Sequence, residues 1–133
     1  AEGFKITGLA QWIGSGVSGI DVGPWVLVFI VIVAIIYLTE ITSNTASTAT
    51  FFPILGAVAV GLGLDPRMLA VPVALGASMA FMMPVATPPN AIVFSYEKLE
   101  LSDMVKAGFL LNIVAIAVCF GAMYFLAPIV FSL

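Results

Sequence analysis

The sequence predicts an all-α integral membrane protein in which two of the apolar segments are interrupted. Of the 133 residues, 62% are hydrophobic and only 8% are charged, whereas soluble domains carry about 25% charged residues. Three long stretches contain one charge or none, which is typical of segments that lie in the hydrocarbon core of a bilayer. Polar residues or prolines break two of these stretches near the middle. Irregular backbone at membrane depth is tolerated only inside protein or beside a watery cavity, so the breaks indicate a binding site.

The composition also argues against several functional classes. Four Lys and Arg residues without a basic cluster do not suit a nucleic-acid-binding protein. Histidine is absent, and the single cysteine, Cys119, lies in an apolar run where it cannot form an internal disulfide. No nucleophile–base pair is visible in the sequence. We therefore do not expect an enzyme.

Residues 1–21 are predicted to form an amphipathic helix at the membrane interface. Apolar residues recur at helical spacing between Ile6 and Val17. Lys5 and Trp12 are of the types that hold such a helix at the level of the lipid headgroups.

Residues 22–64 form one apolar block with a polar centre, "TSNT", from Thr42 to Thr45. Ser, Asn and Thr favour helix caps and turns over helix interiors, so we expect a break here and a second helical arm that begins near Thr45 or Ala46. Asn44 offers a carbonyl oxygen to a cation and an amide N–H to a carboxylate.

A second interpretation of this block stays open. Threonines recur every three residues from Thr39 to Thr48, and in a continuous helix they would form a polar stripe whose hydroxyls bond to carbonyls one turn earlier. Glu40 is the only charge of the block, and a lone acid in an apolar run is a candidate functional residue. It could pair with a distant group, lie in water, mark a helix end in a wet cavity or bind an ion.

Residues 65–97 contain the second break, "ATPPN". Pro88 and Pro89 have no N–H, and Thr87 precedes a proline and is therefore pushed out of the helical region. We expect a helix from about Arg67 to near Val85 and a new helix with proline in its first turn. The free carbonyls suit a cation and the new N-terminus suits an anion, although a simple proline kink remains the alternative.

Residues 98–133 are predicted to form a loop and a final transmembrane helix. The polar segment "EKLELSDMVK" places Ser102 as a plausible N-cap, and the run from Ala107 to Leu133 has no charge.

The order "TSNTAS" and, about forty residues later, "ATPPNAIVF" resembles the second half of the divalent anion:sodium symporters, the INDY-like dicarboxylate transporters. The resemblance covers nearly the whole chain, and the pair of motifs is more specific than either motif alone. It implies a re-entrant helical hairpin over Val22–Leu64 with Ser43–Thr45 at its tip, which segment length alone leaves undecided. It also implies a discontinuous transmembrane helix over Arg67–Tyr96 and a full transmembrane helix over Met104–Phe131, within an inverted-repeat transporter.

The resemblance further implies two sets of ligands. The positions that match substrate ligands are Ser43, Asn44, Thr45, Thr87 and Pro88. The positions that match sodium ligands are Thr39, Thr42, Asn44 and Ala86, with Thr42 and Ala86 acting through their backbone carbonyls. Family members are longer and carry a first repeat with its own Ser-Asn-Thr, which is missing here. We therefore expect this chain to be a fragment that needs the missing N-terminal repeat.

The function that follows is sodium-coupled symport of di- or tricarboxylates such as succinate. Na⁺ is then the coupling ion, no other cofactor is expected, and the resemblance implies a homodimer in the lipid bilayer of a bacterial inner membrane. The alternative is a small structural subunit of a multisubunit membrane complex, in which both breaks would be incidental kinks.

Overall fold

The computed structural model describes residues 23–131, which contain five helices and no strand. The helices are α1 (Pro24–Thr39), α2 (Asn44–Gly61), α3 (Arg67–Ala77), α4 (Pro88–Phe94) and α5 (Leu101–Phe131). The all-helical prediction is confirmed for this part of the chain. The interfacial helix predicted for residues 1–21 lies outside the described residues.

The first break separates α1 from α2, and the residues between the helices are called the tip (residues 40–43). Helix α1 begins with Pro24 in its first turn, where the missing N–H costs nothing. Helix α2 begins at Asn44, one residue earlier than expected, because the Ser43 side chain accepts a hydrogen bond from the Ala46 N–H at 3.4 Å.

Contacts along α5 define the direction of the other helices. Trp25 packs against Tyr124 with ring centroids 5.0 Å apart, and Tyr37 lies near Phe109 at 6.5 Å, so α1 and α5 are antiparallel. Helix α3 is also antiparallel to α5, since the Arg67 guanidinium at its start donates to the carbonyl of Phe131 at 3.3 Å.

Helix α2 runs antiparallel to α3, and hence antiparallel to α1. Phe51 of α2 packs in the same buried cluster as Ala77 at the end of α3, while Gly56 faces Ala70 and Pro66 nearer its start. The chain therefore reverses at the tip and returns toward the end from which α1 started.

The core is built from aliphatic residues and from small residues at helix contacts. Ile32, Ile36 and Val73 are fully buried. A Cβ added to Gly76 would lie 3.3 Å from the Ile35 side chain, so the absence of a side chain lets α1 and α3 approach closely. Close packing at small residues is the usual source of helix association in lipid, where apolar burial alone provides little driving force.

One helix of the described range, α5, is long and apolar enough to cross a membrane by length and composition. Its 31 residues span about 46 Å at 1.5 Å per residue, and its surface carries exposed apolar side chains such as Phe125 (68%) and Ile129 (77%). The arms α1 and α2 have 16 and 18 residues, about 24 and 27 Å. A transmembrane helix has about 17–25 residues, so α2 falls within this range and α1 just below it, and length alone does not decide whether they cross the bilayer.

The turn between α2 and α3 is fixed to the C-terminal end of α5. Gly63 adopts a positive φ of 71° in this turn, a conformation that glycine accommodates without strain. Arg67 forms an ion pair with Asp65 at 2.6 Å and lies 4.8 Å from the centroid of the Phe131 ring. Hydrogen bonds from Arg67 lower the pKa of Asp65 from 3.8 to about 2, so this carboxylate is charged at neutral pH.

The prediction that Ser102 is the N-cap of the last helix is wrong. Helix α5 begins at Leu101, and the N–H groups of Asp103 and Met104 donate to the carbonyl of Glu100 at 3.1 and 3.3 Å. The helix starts before Ser102 because this carbonyl already accepts the first helical hydrogen bonds.

The reversal of direction at the tip predicts the side of the membrane on which three positions lie: the exposed Gly23 and Lys98 and the half-buried Asp65. In the membrane-embedded protein without Cys119 or other reactive cysteines, Gly23→Cys and Asp65→Cys should react with an impermeant thiol reagent from the same side of the membrane. Lys98→Cys, next to the opposite end of α5, should react only from the other side. The Gly23 site is suitable because an added Cβ meets no atom within 4 Å.

The cysteine-free parent is the control for nonspecific labelling. Reaction of positions 23 and 65 from opposite sides would show that the block between them crosses the membrane once and does not return.

Candidate functional site

The second interruption is longer than the sequence suggests. It comprises residues 78–87, between α3 and α4, and this segment is called the break. Helix α3 ends at Ala77, eight residues before the expected end near Val85, so that expectation is wrong. The next helix, α4, does begin at Pro88 with proline in its first turn, as expected. The prolines account for the start of α4 but not for the early end of α3.

The early end of α3 is explained by Glu40, whose carboxylate lies against the break. The N–H groups of residues 81–83 all donate to it. Phe81 donates to Oε1 at 2.9 Å, Met82 to both oxygens at 3.0 Å and Met83 to Oε2 at 3.0 Å. In a continued helix these N–H groups would bond to carbonyls four residues earlier. A carboxylate is a stronger acceptor than a carbonyl, so the charged contact compensates for the lost helical turn.

Helix α5 closes the other side of the break. The Asn112 amide donates to Glu40 Oε1 at 2.7 Å, and both side chains are buried, at 0% and 4% exposure. One turn earlier, Gly108 lies directly against the backbone of Phe81 and Met82. Glu40, the N–H groups of residues 81–83 and Asn112 are together called the Glu40 cluster.

The break is also tied to α4 by its own polar groups. The Asn90 amide nitrogen donates to the carbonyls of Ala80 and Met83, each at 3.0 Å, and the Ala86 N–H donates to the same Met83 carbonyl at 3.1 Å. The Thr87 hydroxyl accepts from the Asn90 N–H at 3.3 Å and caps α4. The Asn90 amide nitrogen is thus used to close the break.

The continuous helix of the polar-stripe interpretation is not observed, because the chain is interrupted at residues 40–43. Thr39 and Thr42 nevertheless bond back to carbonyls of the preceding turn, as that interpretation predicts. Thr39 donates to the carbonyls of Ile35 and Ile36 at 3.0 and 2.9 Å, and Thr42 lies 2.8 Å from the Leu38 carbonyl. Donation uses only the hydroxyl hydrogen, and the oxygen retains lone pairs for a cation. These hydrogen bonds and a ligand role for the two threonines are therefore compatible.

Several oxygens near the tip and the break accept no hydrogen bond among residues 23–131, and three of them belong to predicted sodium ligands. Asn44 Oδ1 is buried and unpaired. Asn112 Oδ1 of α5 is also buried and unpaired. The backbone carbonyls of Thr42 and Ala86 accept no hydrogen bond from the described residues, since the Asn90 N–H is taken by the Thr87 hydroxyl. A buried oxygen without a donor is costly, so Asn44 Oδ1 suggests a ligand such as an ion or water. Thr42 is an exposed residue, and this argument does not extend to its carbonyl.

The candidate ligands therefore fall into two groups at one end of the helices. Ser43, Asn44 and Thr45 lie at the start of α2, and Ala86 and Thr87 lie immediately before α4. The described residues form no hydrogen bond directly between the two groups, and Glu40 joins their segments. Sequence reasoning left the partner of Glu40 open, and it missed two residues of α5. Asn112, a polar residue in an uncharged run, carried a signal, whereas Gly108 carried none.

Other features of the described range do not provide a competing site. Residues 23–131 contain no group of three His, Cys, Asp or Glu side chains that could hold a metal ion. A groove of about 210 Å³ between α3 and α5 is lined by apolar side chains, among them Val71, Leu75 and Leu126. It offers no polar group for a carboxylate and lies toward the opposite end of α5.

An apolar helical chain whose broken segments present unpaired oxygens and a helix N-terminus has the features of a membrane transporter site. The chain belongs to the family described as the sodium:sulfate symporter transmembrane region, whose family model matches residues 1–133. The resemblance to divalent anion:sodium symporters, drawn from the two motifs, is confirmed. Family membership and α5 together identify an integral membrane protein.

Several curated relatives are similar over most of the chain. A sodium-dependent dicarboxylate transporter of Staphylococcus saprophyticus is 42% identical over 129 residues, which cover 96% of this chain and 25% of the relative. Mouse solute carrier family 13 member 2 is 46% identical over 87% of the chain and 20% of its own length. A rat Na⁺/citrate cotransporter is 42% identical over 90% of the chain and 21% of its own length.

These relatives are named as transporters, cotransporters or solute carriers, which agrees with the expectation that the chain is not an enzyme. The chain spans about a fifth to a quarter of their length.

Because Gly108 lies close to the break, we expect that position 108 does not tolerate a larger side chain. In Gly108→Ala the new Cβ would overlap the Phe81 carbonyl oxygen and lie 2.5 Å from Met82 Cα. Backbone atoms cannot relieve this overlap by adopting another rotamer, as a flexible side chain could. We expect a loss of about 1–3 kcal/mol in stability, the usual cost of overpacking, detectable as a lower melting temperature of the purified transporter.

Gly121→Ala on the same helix is the matched control, because its added Cβ meets no atom within 4 Å. It should be neutral or stabilise the helix by up to about 1 kcal/mol. Equal melting temperatures for the two variants would contradict the contact between α5 and the break.

Proposed function

We propose that this chain supplies one part of the sodium and carboxylate site of a transporter that carries di- or tricarboxylates across the membrane together with Na⁺. The observation that carries the proposal is the buried, unpaired Asn44 Oδ1 at the N-terminus of an 18-residue helix. The names of the relatives, a dicarboxylate transporter and a citrate cotransporter among them, support this substrate class. Family membership favours transport over the structural-subunit alternative.

The sodium ion would be held by oxygen atoms of the tip, of the two helix ends beside it and of the break. Thr42 and Ala86 contribute carbonyls that accept no hydrogen bond within residues 23–131, Asn44 contributes its side-chain oxygen, and Thr39 contributes its hydroxyl. Carbonyl, amide and hydroxyl oxygens are the ligands that hard cations prefer. Assignment of these four residues rests on the family resemblance and is supported by their available oxygens.

The substrate carboxylate would lie at the start of α2. Its first N–H groups and its positive dipole end suit an anion, and Ser43, Asn44 and Thr45 add polar side chains. Thr87 and Pro88 would face the same carboxylate from the break. No Lys or Arg occurs between Met68 and Tyr96, so bound Na⁺ and helix dipoles would offset the substrate charge, whose desolvation is costly.

This charge balance suggests an order of binding. Na⁺ binds first and fixes the tip, and the carboxylate then enters a site that the cation has made favourable. Rigid-body movement of the site relative to the rest of the transporter would alternate access.

The architecture around the site is part of the proposal. We take α1, the tip and α2 as a re-entrant hairpin, which the family resemblance implies and the antiparallel arms support. We take α3, the break and α4 as a discontinuous transmembrane helix. The site would be completed by a first repeat with its own Ser-Asn-Thr, in a homodimer in a bacterial inner membrane.

The dual role of Asn44 predicts different effects for two substitutions in the complete transporter. Asn44→Asp keeps an oxygen for Na⁺ but loses the amide donor and adds a negative charge that repels the carboxylate. Sodium binding should remain measurable while succinate binding falls below detection. Asn44→Ala should weaken both by about 1–3 kcal/mol, the range for a lost contact to a charged group. Calorimetric titration with sodium and then succinate measures both.

Thr50→Ala is the control, since Thr50 is an exposed residue of the same helix and the variant should bind both ligands as wild type does. Wild-type succinate affinity in Asn44→Asp would mean that Asn44 is not a substrate ligand.

The two prolines that begin α4 allow a second test of the site. In the double variant Pro88→Ala/Pro89→Ala, α4 should extend backward through Thr87, so that the Asn90 N–H bonds to the Ala86 carbonyl instead of the Thr87 hydroxyl. The cation site would lose a ligand, and sodium-dependent succinate uptake in liposomes should fall at least about ten-fold, which corresponds to about 1.4 kcal/mol.

Pro128→Ala is the control, because Pro128 lies inside α5 and away from the break. Near-normal uptake by the double variant, with the control also normal, would mean that Pro88 and Pro89 form an incidental kink.

A further inference from the structure

We propose that Glu40 is a positioning residue which holds the break in register with the tip and thereby brings the two groups of sodium ligands together. The effect on transport that this inference predicts rests on the proposed function. The geometry on which it is based does not depend on that function. Glu40 itself is not a ligand in this proposal, because both of its oxygens already accept hydrogen bonds from the protein.

The first step of the argument is the shape of the acceptor site. Three consecutive N–H groups, of residues 81–83, converge on one carboxylate. Successive N–H groups that point into one concavity form an anion-binding nest. In this protein the nest is filled by the chain's own carboxylate, so a substrate carboxylate cannot bind there.

The second step is the path from Glu40 to the proposed ligands. On one side, Glu40 directly follows Thr39 and precedes Thr42 by two residues, so its position fixes the tip. On the other side, the Met83 N–H bonds to Glu40 and the Met83 carbonyl accepts from the Ala86 N–H at 3.1 Å. One hydrogen-bonded residue therefore separates Glu40 from the Ala86 peptide.

The third step is the lack of any other polar connection. Among residues 23–131, no hydrogen bond joins residues 42–45 to residues 84–90. The tip and the break are more than thirty residues apart in sequence, and Glu40 provides the polar contact between their segments. Asn112 of α5 donates to the same carboxylate and anchors the contact to the longest helix. Loss of the carboxylate should thus let the two ligand groups move apart while the helices remain folded.

The test compares Glu40→Gln with Glu97→Gln in the complete transporter. Both remove one negative charge, but Glu97 is exposed. The side chain of the Glu40→Gln variant has a single oxygen and presents an amide N–H₂ toward the N–H groups of the break, so it cannot accept the same set of bonds. Glu97→Gln should behave as wild type in every measurement.

The first measurement reports the distance between the tip and the break and does not require transport activity. Spin labels at Ile41→Cys and Val85→Cys, two exposed positions beside the tip and beside Ala86, give a distance distribution by electron paramagnetic resonance in a background without other reactive cysteines. Glu40→Gln should broaden or shift this distribution. An unchanged distribution would overturn the proposal.

The second measurement separates positioning from general damage. Glu40→Gln should raise the sodium concentration for half-maximal uptake about ten-fold or more, corresponding to about 1.4 kcal/mol. The succinate KM at saturating sodium should change less than about two-fold on the same scale. A changed distance with an unchanged sodium dependence would also overturn the proposal, because the contact would then be structural only.

Two further variants keep the test decisive. If Glu40→Gln does not fold, Asn112→Ala removes one donor from the cluster and should produce a smaller change in the same direction in both measurements, and no change would overturn the proposal.

The double variant Glu40→Gln/Asn112→Asp retains a buried negative charge but removes it from the nest, and it should not restore sodium dependence. If it does restore it, buried charge and not positioning is what matters. Absence of sodium-dependent uptake in the wild type would instead refute the proposed function and leave the distance measurement as the test of Glu40.

Discussion

The contact between the Glu40 carboxylate and the N–H groups of residues 81–83 determines how the two interrupted segments of this protein fit together. It explains why α3 stops at Ala77, because the N–H groups that would have continued the helix have a charged acceptor elsewhere. It also explains why the tip and the break lie at the same end of α5. Without this acceptor, three backbone donors would remain unpaired in an apolar surrounding, which is strongly unfavourable.

Burial of a carboxylate among apolar helices is costly unless its charge is compensated. A salt bridge is the common solution, yet the described residues provide only hydrogen-bond donors to Glu40, from three backbone groups and one amide. Charge-assisted hydrogen bonds are about twice as strong as neutral ones, and several of them can offset the desolvation of the ion. Because these donors are uncharged, Glu40 needs no Lys or Arg beside the tip. Under the proposed function, the compensating positive charge near the substrate would then come from Na⁺ and could leave with it.

The long helix α5 gives this arrangement its support. Gly108 permits direct backbone contact with the break, and Asn112, one turn later, reaches the buried carboxylate. Helices α1 and α2 pack against α3 and the residue before it at Gly76 and Gly56, as helices pack through small residues in lipid. The tip and the break are therefore held by packed helices, while Asn44 Oδ1 beside the tip stays unpaired. Under the proposed function, this oxygen is available to the sodium ion.

The sequence by itself determined the class of protein, the presence of both interruptions, the position of the first one and the start of α4. Composition and uncharged runs require a membrane environment, and Pro88, Pro89 and the "TSNT" residues act through local backbone chemistry that needs no tertiary contact. The motif pair also identified the family. The tertiary structure alone decided where α3 ends, which partner Glu40 has and why position 108 is glycine. These features depend on contacts between residues about 30 to 70 positions apart in the chain, such as Glu40 with residues 81–83 and with Asn112. Local propensity contains no information about such pairs, because a helix end imposed by a distant acceptor leaves no breaking residue at the place where the helix stops.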